Sequence, residues 1–136
     1  MRTIQTVTWG LAVLFGLVVI TGAIPYFNPG GLQFGLFKID PIDNFVHILT
    51  AIAAAFASWH SIRLSTIVLK VISMIYGIDA FCGLVLSRGF LDLTVITQGI
   101  GSSDFGITNL LINAPHVGIV AVAAYTAWVI GRPGRT

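Results

Sequence analysis

From Ile48 to Ala57 the chain carries no charge and is mostly alanine and isoleucine. With Pro41 to His47 ahead of it and Trp59 behind, this makes a stretch of about 20 residues, the length that crosses a bilayer as a helix. A helix is the form open to it, because hydrocarbon offers no partner to an unpaired backbone amide or carbonyl. Asp43, Asn44 and His47 gather at one end of the stretch. Asn44 and His47 lie three residues apart, so on a helix they share a face one turn inside the boundary. The rest of the chain must therefore fold around a membrane helix with polar groups just below one surface.

Composition extends this to the whole sequence. Of 136 residues, 56% are hydrophobic and 9% charged, with a mean hydropathy of +0.94; a soluble domain carries roughly a quarter charged residues. One membrane-embedded domain over residues 1–136 is expected. Seven Lys and Arg against five acids, all Asp, give a pI of about 9.0. The basic residues are scattered at span ends and not clustered, so no nucleic-acid partner is expected. A single cysteine, Cys82, excludes an intramolecular disulfide and a multi-cysteine zinc site.

Four spans are predicted, at about 4–25, 41–59, 64–86 and 109–130. Pro25 and the Asn28-Pro29-Gly30-Gly31 cluster stop the first. Thr21-Gly22-Ala23 is a passable signal-peptidase site, but the apolar run exceeds a typical signal h-region, so the first span is expected to be retained. The fourth is expected to open at Asn109 or Asn113. With the N-terminus inside, Arg2, Arg63, Lys70, Arg132 and Arg135 face the cytoplasm, against Lys38 and Arg88 outside. Trp9, Trp59 and Trp128 then fall at one interface as an aromatic belt. Lys70 reads as an anchor whose stem reaches back to the headgroups. The expected location is a bacterial plasma (inner) membrane, multi-pass, N-in and C-in, with the lipid bilayer as constant partner.

An internal repeat is the second constraint. Phe34-Gly35-Leu36 followed by Asn44-x-x-His47 is matched by Phe105-Gly106-Ile107 followed by Asn113-x-x-His116. Each copy precedes an alanine-rich helix, which implies duplication of a two-span hairpin with both copies in the same orientation. The expected fold is all-α, an integral membrane four-helix bundle of two tandem hairpins, with His47 and His116 at similar depth.

These paired motifs resemble a family of small bacterial membrane proteins known as a domain of unknown function. The resemblance runs from about Trp9 to Trp128; it implies the four-span architecture and carries no activity, substrate or cofactor. In that family a small residue, often Gly, sits four after each histidine. Here the positions hold Ala51 and Val120, so the second copy departs from the pattern.

Each Asn-x-x-His has a structural reading, with Asn44 or Asn113 as a helix N-cap and the histidine reaching back as a loose capping partner. Asp79 lies within the third span beside Tyr76, Cys82 and Gly83. A carboxylate at a span centre costs about 2.5 to 3.5 kcal/mol even on modest insertion scales, so it must be paired, protonated or liganded. The structural reading is a protonated acid bonded to an Asn or a carbonyl. A polar cluster of Asn44, Asp79 and Asn113 with the two histidines is expected. His47, Asp79 and His116 would suit a first-row transition metal with an open position, and His47 and His116 could be axial ligands of a haem; no cofactor remains the first expectation. GxSxG and GxGxxG motifs are absent. The role expected first is non-catalytic: a subunit of a membrane complex or a homo-oligomer associating through Ala51, Ala53, Ala55 and Ala57. A metal- or haem-binding redox component and a proton-coupled small-solute carrier are the alternatives.

Overall fold

The apolar segments close their backbone hydrogen bonds locally, as hydrocarbon requires. The computed structural model describes residues 3–38 and 40–132, so Arg2 and Arg135 of the charge argument lie outside the described residues. The helices are α1 (Thr3–Ala23), α2 (Pro41–His60), α3 (Ile62–Leu86), the short α4 (Thr94–Thr97) and α5 (Ile107–Ala124), which continues as a π-helix over Tyr125–Ile130. Among the described residues α1, α2, α3 and the joined α5 are each long and apolar enough to cross a membrane. The all-α expectation holds. The one β-ladder among the described residues is a two-residue antiparallel pair, β1 (Leu32–Gln33) with β2 (Phe37–Lys38). The chain divides into two compact units, Met1–Val68 and Leu69–Thr136.

In the first unit α1 and α2 form an antiparallel hairpin. Gln5 Nε2 donates to the Ser58 carbonyl at 2.8 Å near the connected α2–α3 end, and the Phe15 ring stacks on His47 with centroids 5.5 Å apart. Ile4, Thr8, Leu11, Ala12 and Phe15 are the buried stripe of α1, spaced as one helical face. Thr8 buries its hydroxyl without loss by donating to the Ile4 carbonyl at 2.7 Å. At the far end of α1, the Asn28 side-chain amide donates to the carbonyls of Thr21 and Gly22 in the last turn and of Ile24 just beyond it.

The helix starts correct two expectations. Asp40 caps α2, its Oδ1 accepting from the amides of Ile42 at 2.8 Å and Asp43 at 3.3 Å, with Pro41 at the first helical position. Asn44 is therefore inside the helix and not its cap. Likewise α5 begins at Ile107 behind Gly106, which offers no side-chain cap, so Asn109 and Asn113 are helical residues and Pro115 sits within the helix.

In the second unit α3 and α5 run antiparallel. Asn109 meets Gly83 near the loop, His116 meets Tyr76 further in, and Lys70 Nζ lies 4.4 Å from the centre of the Trp128 ring. The last contact gives the Lys70 anchor a partner, since a cation over an aromatic face is attracted by the ring quadrupole. Gly77 lies under Val120; a Cβ there would meet its methyls at 3.8 Å.

The duplication reaches further than the paired motifs. At one constant spacing, the five buried residues of α1 have buried counterparts in α3: Ile4 and Ser65, Thr8 and Leu69, Leu11 and Ile72, Ala12 and Ser73, Phe15 and Tyr76. At a second constant spacing, Ala54, Ala57 and Ser58 of α2 match the buried Ala123, Thr126 and Ala127, and Trp59 matches Trp128. Phe15-Gly16 to Gly22 and Tyr76-Gly77 to Gly83 are therefore one element written twice, with Val18 where the second copy has Asp79.

Candidate functional site

The second unit places a carboxylate among three donors. Asp79, 5% exposed, accepts at Oδ1 from the backbone amides of Phe90 at 2.7 Å and Leu91 at 2.8 Å, while Oδ2 lies 2.6 Å from His116 Nδ1. Oδ1 thus accepts two N–H bonds, and a single hydrogen is shared across the contact between Oδ2 and Nδ1. Two backbone amides and an imidazole stand where an Asn or a carbonyl was expected as the partner. The Tyr76 ring stands edge-on to His116, with centroids 5.5 Å apart and planes at 75°.

Local structure aims the two amides. In the segment after α3, Asp92 Oδ1 accepts from the Thr94 amide at 2.9 Å and its hydroxyl at 2.7 Å, and the Gly89 amide donates to Thr94 Oγ1 at 2.9 Å. This closes a turn with Phe90 and Leu91 at its inner side; Leu91 is buried. Leu93 takes a left-handed backbone conformation (φ 60°), uncommon for a side chain branched at Cγ, before α4 begins.

Toward the loop, the polar face of α5 continues. Asn109, Asn113 and His116 follow helical spacing on the side that meets α3. Asn113 Nδ2 donates to the carbonyl of Asn109 at 2.9 Å and to its side-chain oxygen at 3.1 Å; Asn109 Nδ2 donates to the carbonyls of Gly83 at 3.1 Å and Asp104 at 2.6 Å. The buried Asn113 side chain occupies the space where any residue but glycine at 83 would put its Cβ.

Of the expected cluster, Asp79 and His116 meet in the second unit, while Asn113, one turn before His116, is bonded to Asn109. His47 and Asn44 belong to the first. There His47 is buried on Phe15, with Nε2 3.9 Å from Asp43 Oδ1 one turn earlier. Each histidine packs on the aromatic ring at the equivalent position of the preceding long helix. Within either unit, among the described residues, no three His, Cys, Asp or Glu side chains gather to hold a metal ion. A haem with His47 and His116 as axial ligands would draw on both units.

Sequence reasoning passed over Gln33 and the Phe90 and Leu91 amides. Gln33, buried in β1, donates to the Val18 carbonyl and to Thr21 Oγ1, both at 2.8 Å. It ties the first loop to α1 at the position that Asp79 occupies in α3. A lone amide in the otherwise apolar run Leu32 to Phe37 was the available signal; for the second loop it was Asp92-x-Thr94, a pair that closes turns.

No family model, curated protein or solved structure matches this chain.

Proposed function

We propose that this is a non-catalytic, multi-pass protein of the bacterial plasma membrane, N-in and C-in, that works by associating with a second copy of itself or with other membrane subunits. The observation that carries the reading is an apolar groove on the α1–α2 hairpin, lined by Trp9, Ala12, Val13, Ala51, Ile52 and Ala55. Lipid tails are as apolar as leucine, so helices in a membrane associate where small side chains let backbones approach closely. Ala51 and Ala55, one turn apart on the groove, supply that surface. Ala57, expected to share it, is fully buried and belongs to the interior of the first unit, its carbonyl accepting from Ser65 Oγ at 2.9 Å.

The test is Ala55→Leu. A leucine fills the groove, and the detergent-solubilised protein should shift to a smaller species by light scattering while its helical circular dichroism is kept. An unchanged mass would remove the groove from the interface. Loss of helicity would show that Ala55 packs inside the hairpin and would end the association reading.

A further inference from the structure

We infer that Asp79 and His116 form a single proton-binding site whose occupancy sets how firmly the loop between α3 and α5 is held, a proton-controlled tether present in the second hairpin and absent from the first. The two hairpins tie their loops at equivalent positions with different chemistry. In the first, the Gln33 amide donates to the Val18 carbonyl and to Thr21, and neither partner titrates. In the second, the Phe90 and Leu91 amides donate to the Asp79 carboxylate, which also meets His116. The same mechanical joint is therefore fixed in one copy and ionisable in the other.

The consequence of protonation follows from counting donors. With the shared hydrogen on the imidazole, the carboxylate meets an N–H at each contact. When it takes up a proton, the new O–H must displace or turn against one of those donors, and the remaining bonds become neutral ones, roughly half as strong as bonds to a charge. Loss of a proton from His116 has no such effect, because a neutral ring can keep its hydrogen on Nδ1. The loop should thus loosen on the acid side. Of the two side chains, His116 is the less enclosed, 21% exposed against 7% for Asp79. Among the described residues of the second unit, the other titratable or charged groups on these elements are Lys70, Tyr76 and Cys82 on α3, Tyr125 and Arg132 at the far end of α5, and Asp104, Arg88 and Asp92 in the connecting segment. The side chains of the last two are bonded to Gln98 and Thr94. On α5 the turns before His116 present the neutral Asn113 and Asn109.

The experiment uses the first loop as internal control. Spin labels are placed by Ile96→Cys in the second loop and Tyr26→Cys in the first, at positions 66% and 86% exposed, each in a Cys82→Ala background in lipid vesicles. As pH falls from about 8 to about 2, through the imidazole range and below the ordinary carboxylate value, the mobility of the label at 96 should rise about twofold or more and that at 26 should stay flat. Asp79→Asn should abolish the titration, and His116→Gln should keep it with a displaced midpoint. A flat response at 96, a parallel response at both labels, or a titration that survives Asp79→Asn would each overturn the proposal. If Asp79→Asn does not fold, the comparison of the two loops and the His116→Gln midpoint still decide it: an undisplaced midpoint removes the pair as the site.

Discussion

Asp79→Ala is expected to destabilise the protein by about 3 to 5 kcal/mol, the cost of removing one partner of a buried charged contact. The mutation strands two backbone amides and one imidazole at once, because Phe90, Leu91 and His116 all donate to this one side chain. Asp79→Asn keeps an acceptor at the loop amides and loses charge, so it should cost about 1 to 2 kcal/mol. Unfolding by titration with a denaturing detergent, followed by circular dichroism, separates the three proteins. Equal midpoints for wild type and Asp79→Ala would show that the carboxylate does not hold the loop. Val18→Ala at the equivalent position of α1 should have a much smaller effect, since the tie there runs through the Val18 carbonyl.

Gly83→Ala is the second large effect, and it is unusual in its sign. Alanine in a helix is ordinarily favoured over glycine by about 0.8 to 1.0 kcal/mol. At position 83 the new Cβ would collide with Asn113 Oδ1, pushing out a buried side chain that holds Asn109, which in turn holds the Gly83 carbonyl. Overpacking of this kind costs about 1 to 3 kcal/mol, enough to outweigh the propensity gain. The equivalent Gly22→Ala meets the Gln33 side chain at 3.5 Å, an ordinary contact, and should be neutral or mildly stabilising. Adding Asn113→Ala to Gly83→Ala should recover part of the loss, because the collision is gone. If Gly83→Ala and Gly22→Ala behave alike in the same detergent titration, the close approach of α3 and α5 is wrong.

The parts legible in the sequence were those where chemistry leaves one option. An apolar run of span length in hydrocarbon must be helical, so the four spans could be read to within a few residues. Asp79 stood out because a lone acid inside such a run needs a partner, and His116 because the repeat marked it. What it binds besides His116 was hidden: backbone amides look the same at every residue, and only the turn built by Asp92 and Thr94 points those of Phe90 and Leu91 inward. The second span was legible from residue 41, where α2 begins, but its cap is Asp40, ahead of Pro41, and not the Asn44 of the repeat. The start of α5 carried no signal, for Gly106 caps nothing with a side chain. The longer repeat was masked because it pairs Phe15 with Tyr76 and Val18 with Asp79, while the buried pattern that reveals it is a property of the fold.

The central claim, that two tandem hairpins cross the membrane four times with both ends inside, is tested most directly by mapping sides in intact cells. A reporter fused after Thr136 should be active in the cytoplasm, and a cysteine placed between Gly99 and Ser103, in the Cys82→Ala background, should react with an impermeant label from outside. A C-terminus outside, or a second loop that labels only after the cells are broken, would contradict the orientation; both on one side would contradict the four crossings.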